Sequence, residues 1–259
     1  MTHTISTFLP GHLITDDGIK IDYDHYRNGF DRVIILAPGF FNSKSAILFK
    51  DMAKELGRDY DIIVFDFRGH GKSRGLFYWT AKEYLDLQTV LAYANQNYGK
   101  IGVVGFSLGA ATSIITAARD ERIDSLIAVS APSQFNKIDF RFWEMDLEEN
   151  IIYNVIGAGR IGKGLRPGPF WRRKQKPVDV VGKIKIPVLF IHGANDWLIK
   201  PWHSEMLFQK AQARQKSLEI IPNGTHAEFL FRSQRPVTLQ LFREWFGKTL
   251  ILEKTKKRG

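Results

Sequence analysis

"KIGVVGFSLGAATSIITAARDER", residues 100–122, changes character halfway along. Its first part is a short, almost unbroken apolar run of the kind found in strands covered on both faces, and its second part is rich in small residues that suit a helix. At the junction Ser107 stands between Gly105 and Gly109. Flanking glycines let the backbone crowd into a very tight strand-to-helix turn, and a serine exposed there can attack a carbonyl. A small-residue turn without chemistry has the same local appearance, so the rest of the chain has to decide.

Outward from this stretch, similar apolar runs recur: "RVIILA" from Arg32, "DIIVFDF" from Asp61, "SLIAVSA" from Ser125, "PVLFIHG" from Pro187 and "SLEIIP" from Ser217. Helical patterns lie between most of them. Ile47, Leu48, Met52 and Leu56 share one helical face, and Leu87, Val90, Leu91 and Ala94 another, stopped by Gly99. Further helices are expected over 201–214 and from Pro236, where Leu241, Phe242, Trp245 and Phe246 form a stripe. The N-terminal stretch reads as a hairpin turning at "DDG", which adds antiparallel strands at one sheet edge. Strands alternating with helices predict an α/β domain with a mainly parallel, twisted sheet of about eight strands flanked by helices. The alternation stops over 133–183, so the expected division is a core of 1–132 and 184–259 with a helical cap insertion between.

The chain has 259 residues, 44% hydrophobic and 25% charged, which suits a globular protein with a sizeable core. No stretch approaches the roughly 20 apolar residues of a membrane span, and the start lacks a secretory pattern, so a cytoplasmic protein is expected. There is no cysteine, which removes disulfides, thiol nucleophiles and thiolate metal sites. The histidines form no HExxH or paired-carboxylate pattern, so no metal is expected. A net charge of +10 would favour anionic ligands, membrane surfaces or nucleic acid. No helix-turn-helix, RNP or zinc pattern accompanies that charge, and nucleic acid is not an expected partner.

Ser107 has candidate partners. "HGANDWLI" supplies Asp196 just after one strand, and "NGTHAEF" supplies His226 just after the last. In an open parallel sheet those strand ends face one edge, where distant residues can converge. The stretches "DFRGHGKS", "GFSLGA", "IPVLFIHGAND" and "NGTHAEF", in this order over residues 18–250, resemble an α/β-hydrolase of the serine esterase and lipase kind. The resemblance implies Ser107 as nucleophile, His226 as general base and then acid, and Asp196 as the carboxylate orienting the imidazole. It implies an oxyanion hole from the backbone N–H of Leu108 and of Phe40 in "APGFFNS", with Phe41 the alternative in that loop, where Pro38 stands in place of the histidine many relatives carry. Phe41, Trp143 and Trp197 are the expected substrate contacts. No cofactor is implied.

Asp139, in the insertion, competes with Asp196 for the acid role. Asp66 and Arg68 read as a structural pair in a tight loop, His70 and His192 as loop-packing residues, and Glu228 as a helix N-terminal acid suited to the dipole. His3, His12, His25 and His203 read as surface or packing residues. The insertion's aromatics Phe140, Phe142, Trp143, Phe170 and Trp171 either line an acyl pocket or simply pack. Its basic run 172–176 either holds an anionic group of a substrate or is a solvated face. The expected activity is hydrolysis of a small or acyl-chain carboxylic ester through an acyl-enzyme. Thioesterase, acyltransferase and carbon–carbon bond hydrolase chemistry use the same residues. A ligand-binding protein on a disused hydrolase scaffold is the alternative of another class, and retention of all three triad candidates opposes it.

Overall fold

The structure, a computed structural model, describes residues 7–135, 165–169 and 171–252. A hairpin of β1 (Thr7–Ile14) and β2 (Lys20–Arg27) opens the chain. There follow β3 (Arg32–Ala37), α1 (Ile47–Leu56), β4 (Asp61–Phe65), α2 (Glu83–Asn95), β5 (Lys100–Phe106), α3 (Leu108–Ala117) and β6 (Ser125–Val129). The short α4 (Pro177–Val180) lies near the end of the insertion, and after it come β7 (Val188–Gly193), α5 (Trp202–Lys210), β8 (Lys216–Ile221), α6 (Ala227–Ser233) and α7 (Arg235–Thr249).

The strands form one eight-stranded sheet in the order β1-β2-β4-β3-β5-β6-β7-β8. The hairpin pairs antiparallel with itself and with β4, and every other pairing is parallel. Alternation of side chains explains the continuous apolar runs. Val33, Ile35 and Ala37 of β3 join one core layer with Leu87, Val90 and Leu91 of α2 and Ile114 of α3. Ile34 and Leu36 point the other way, into a layer with Phe49 and Met52 of α1 and Phe242 and Phe246 of α7. Both faces are covered, so an inner strand has no polar side to show.

The C-terminal end of β3 sits between those of β4 and β5, where successive connections leave in opposite directions. Ligands bind at such a point in open α/β sheets. The segments 38–46, 107, 130, 194–201 and 222–226 leave that edge, following β3, β5, β6, β7 and β8. The helix expected over 201–214 ends at Lys210, where Ala211 turns to an extended backbone (ψ 134°). The helix expected from Pro236 starts at Arg235, and a separate short helix over Ala227–Ser233 precedes it, the two broken at Gln234.

The end of the insertion is sewn to the β4–α2 connection. Arg166 N–H donates to the Gly69 carbonyl at 2.7 Å, Phe77 N–H to Arg166 at 2.9 Å, and Gly168 N–H to Phe77 at 2.8 Å. Asp139, Phe140, Phe142, Trp143 and Phe170 lie outside the described residues, as does His3. Among the described residues no helix is long and apolar enough to cross a membrane.

Candidate active site

Ser107 takes φ 52° and ψ −117°, a conformation that a non-glycine residue adopts only when its surroundings enforce it. The neighbours show what enforces it. A Cβ on Gly105 would come within 2.7 Å of Ala110 Cα and of the Gly109 carbonyl, and one on Gly109 would collide with the carbonyls of Ala37 and Pro38. Both glycines are needed because α3 starts directly against β3 and β5. Ser107 N–H donates to Val129 at 2.9 Å, which fixes the turn to β6.

Three side chains from separate connections are hydrogen-bonded in series. His226 Nε2 lies 3.0 Å from Ser107 Oγ, and His226 Nδ1 lies 2.8 Å from Asp196 Oδ2. All three residues are buried, with Ser107 5% exposed. Asp196 Oδ1 also accepts the N–H groups of Leu198 at 3.0 Å and Ile199 at 2.8 Å. Burial alone would raise the Asp196 pKa, but the His226 charge and bonds from both His192 and His226 outweigh it and hold the carboxyl far below the carboxylate range. For His226 burial pulls downward, and the Asp196 carboxylate reverses it, so the imidazole sits above its ordinary value. An ionised Asp196 accepts from Nδ1–H, which leaves the Nε2 lone pair facing the serine hydroxyl.

His226 is set in place by its own neighbours. Ala227, at φ 42°, donates its N–H to Ser130 Oγ at 3.0 Å, and Ser130 is itself left-handed at φ 49°. Trp197 places its ring 6.2 Å from the imidazole centroid.

Among the described residues, the amides of Phe40 and Leu108 donate to no backbone carbonyl, and the two residues line one small cavity with Gly39, His70 and Phe77. Phe41 has φ 64° and packs its ring 4.1 Å from that of Phe40. Phe40 also meets Phe77 at 5.4 Å and Trp79 at 5.0 Å, giving this rim an aromatic wall. Trp171, an acyl-pocket candidate, is 75% exposed.

Asp66, Arg68, Glu228 and His192 depart from their expected roles. Asp66 does not pair with Arg68: it accepts the N–H groups of Lys44 at 2.7 Å and Lys72 at 2.8 Å, while Arg68 is clasped by Asp86 and Asp17. Glu228 is in the first turn of α6, but it is buried, and its Oε1 accepts the Gly39 N–H at 2.6 Å, which ties the Phe40 loop to the helix that follows His226. His70 is buried, and burial pushes its imidazole down to about 4, so it stays neutral. His192 does more than pack, since its Nε2 hydrogen-bonds the Ile199 carbonyl of the Asp196 loop at 2.6 Å. His203 is buried and accepts the Ser133 N–H at 3.0 Å, and His25 is buried between Tyr93 and Tyr98. The Glu228–Gly39 bond spans 189 residues, and no local pattern announces it. Among the described residues no group of three or more His, Asp or Glu is placed to hold a metal.

The profile of the alpha/beta hydrolase fold matches residues 32–168, and one described as serine aminopeptidase, S33, matches residues 169–230. The chain is 27% identical to the protein YqkD of Bacillus subtilis over 75% of its own length and 64% of that protein, so it spans somewhat less than two thirds of that relative. It is 21% identical to the mouse serine hydrolase BPHL, with 86% of this chain and 82% of that one aligned. Among solved structures it resembles the Pyrococcus furiosus esterase Pf2001, with a TM-score of 0.77 at 22% identity, covering 94% of this chain and 92% of the esterase.

Proposed function

The chain belongs to the alpha/beta hydrolase fold family, and from that premise we propose that it is a serine hydrolase that cleaves carboxylic esters through an acyl-enzyme on Ser107. The observation that carries this reading is the unbroken series Ser107–His226–Asp196, at 3.0 and 2.8 Å, with the lone pair of His226 directed at the hydroxyl. A serine hydroxyl is a weak nucleophile unless a base takes its proton as it attacks. Here Ser107 Oγ adds to the ester carbonyl while its proton passes to His226 Nε2. The imidazolium is stabilised by Asp196 and returns that proton to the leaving alkoxide as the carbon–oxygen bond breaks. Water then attacks the acyl-serine by the same exchange, releasing the acid and restoring Ser107.

The tetrahedral oxygen carries negative charge that needs donors already in place. The amides of Leu108 and Phe40 suit this task, and the Glu228 bond to Gly39 holds the second of these loops. Phe41, Trp197 and, from the insertion, Trp143 contact substrate. In this reading the insertion 133–183 serves as the cap of a core of 1–132 and 184–259. The names of two relatives support the chemistry: BPHL is a serine hydrolase and Pf2001 an esterase.

Labelling with a fluorophosphonate, followed by mass-spectrometric mapping, tests the assignment. Modification at Ser107 and loss of ester turnover in parallel are expected. Modification elsewhere, or none, would overturn it, and a panel of matched esters, thioesters and amides then ranks the acyl substrates.

A further inference from the structure

Asp196 is gripped from a side that His226 does not use. His192, at the end of β7 and with 0% exposure, brings Nε2 within 2.6 Å of the Ile199 carbonyl and 3.2 Å of Asp196 Oδ2. Both neighbours are acceptors, so Nε2 carries the proton. The other ring nitrogen, 2.7 Å from Ser204 Oγ, is then the acceptor, and the Ser204 hydroxyl donates to it. The Ile199 peptide closes the arrangement, because its N–H donates to Asp196 Oδ1 at 2.8 Å while its carbonyl receives His192. Asp196 therefore accepts from Leu198 and Ile199 on one oxygen and from His226 on the other, with His192 Nε2 standing 3.2 Å from that second oxygen while it bonds the Ile199 carbonyl. A histidine needed only to fill space would be replaceable by an apolar side chain of similar volume, without the cost of burying two ring nitrogens.

We propose, resting on the acyl-enzyme reading above, that His192 is a positioning residue for the reaction: Ser204 on α5 fixes its tautomer, and its Nε2–H, given to the Ile199 carbonyl beside the carboxylate, holds the backbone that fixes Asp196 for His226. The relay runs Ser204, His192, the Ile199 peptide, Asp196, His226, Ser107, and only the last three touch the reacting groups or their proton. Residues that orient a first layer of functional groups typically affect activity by about 10–100-fold when removed.

The full-length protein is compared with His192→Phe, His192→Gln and Ser204→Ala, with kcat expressed per site titrated by an acylating burst. His192→Phe should lower kcat by about 10–100-fold while KM stays within about twofold, and the far-downfield proton resonance between His226 and Asp196 should move or vanish. His192→Gln, whose amide can reach the Nε2 position, should recover kcat to within about threefold of wild type, with Ser204→Ala falling between the two. Unchanged kcat per titrated site and an unchanged resonance in His192→Phe, with only lower thermal stability, would make His192 structural and overturn the proposal. If His192→Phe does not fold, the same unchanged pair of readings in Ser204→Ala overturns it. Failure of the wild type to label at Ser107 would instead defeat the acyl-enzyme reading, and the resonance would still report whether Ser204 and His192 hold Asp196 against His226.

Discussion

After β4 the chain takes residues 66–82 to reach α2, and after β5 it takes only Ser107 to reach α3. Both connections leave the same edge of the sheet and both bury polar groups. In the longer one the buried charges are bound to fixed partners, and only the neutral atoms His70 Nε2, Trp79 Nε1 and Thr80 Oγ1 are buried there without one among the described residues. Asp66 holds the amides of Lys44 and Lys72, Glu83 holds that of Tyr78 at 2.6 Å, and Arg68 is caught between Asp86 and Asp17 at 2.8 Å each. The shorter one keeps a strained backbone, a hydroxyl facing an imidazole lone pair and, among the described residues, a Leu108 amide uncommitted to any backbone carbonyl. Buried charge that is fully satisfied makes a region rigid. Polar groups held in place and left unspent are what a reacting carbonyl needs.

The sharpest way to break this contrast is to remove one central group from each connection. Ser107→Ala should lower turnover of an activated ester by about 10⁴–10⁶-fold, in line with triad deletions, and should leave the thermal midpoint almost unmoved. Initial rates and a melting curve on the same preparation check both halves. Arg68→Ala should do the reverse. It leaves Asp86 buried and unpaired, which costs about 3–5 kcal/mol in a urea titration, while kcat per titrated site stays near wild type. A large loss of kcat per site in Arg68→Ala would show that the two connections are not separate in function.

How legible each connection was in the sequence follows from how far its determinants lie apart. The glycines around Ser107 act over two residues, and β-branched runs such as "RVIILA" show burial on both faces directly, so the sheet and the position of the turn could be read locally. Asp196 and His226 could be located because each follows a strand whose end must face the same edge. Proximity in sequence suggests pairing Arg68 with Asp66, whereas the partners of Arg68 come from the hairpin turn and from α2. Glu228 was read by its place at a helix start, although its bond reaches back 189 residues to Gly39.

That long-range bond sharpens the comparison at a smaller scale. Glu228→Ala frees the Gly39 amide and with it the loop that presents Phe40. Because losing one oxyanion donor outright costs about 10²–10³-fold, a loosened donor should lower kcat by about 10–100-fold with little change in KM. Glu228→Gln keeps an acceptor for Gly39 and should remain within a few-fold of wild type. Steady-state kinetics on the pair separates loop positioning from a requirement for charge, since a requirement for charge would make both variants equally poor.

The smallest effect, and the cleanest contrast, lies in two imidazoles, one from each connection's surroundings. His70 and His226 are both buried, and burial pushes each toward the neutral form. For His70 nothing reverses this, and its pKa falls to about 4. For His226 the Asp196 carboxylate wins, and the pKa lies above the ordinary value of about 6.5. On the proposed mechanism His226 must be neutral to accept the serine proton, so kcat/KM should rise with pH through a midpoint above about 6.5, and His70 should contribute nothing there. Linkage gives opposite signs for stability. As pH falls from about 6.5 toward 4, the unfolded chain takes up a proton that folded His70 refuses, so His70 weakens the fold through that window. The stabilisation from charged His226 is full below about 6.5 and is lost as pH rises through its higher folded value. Asp196→Asn removes the charge and leaves burial in control, so the His226 ring, followed by NMR, should titrate at lower pH than in wild type while His70 does not move. A His226 midpoint that stays in place in Asp196→Asn would mean that Asp196 does not set the charge state of the base.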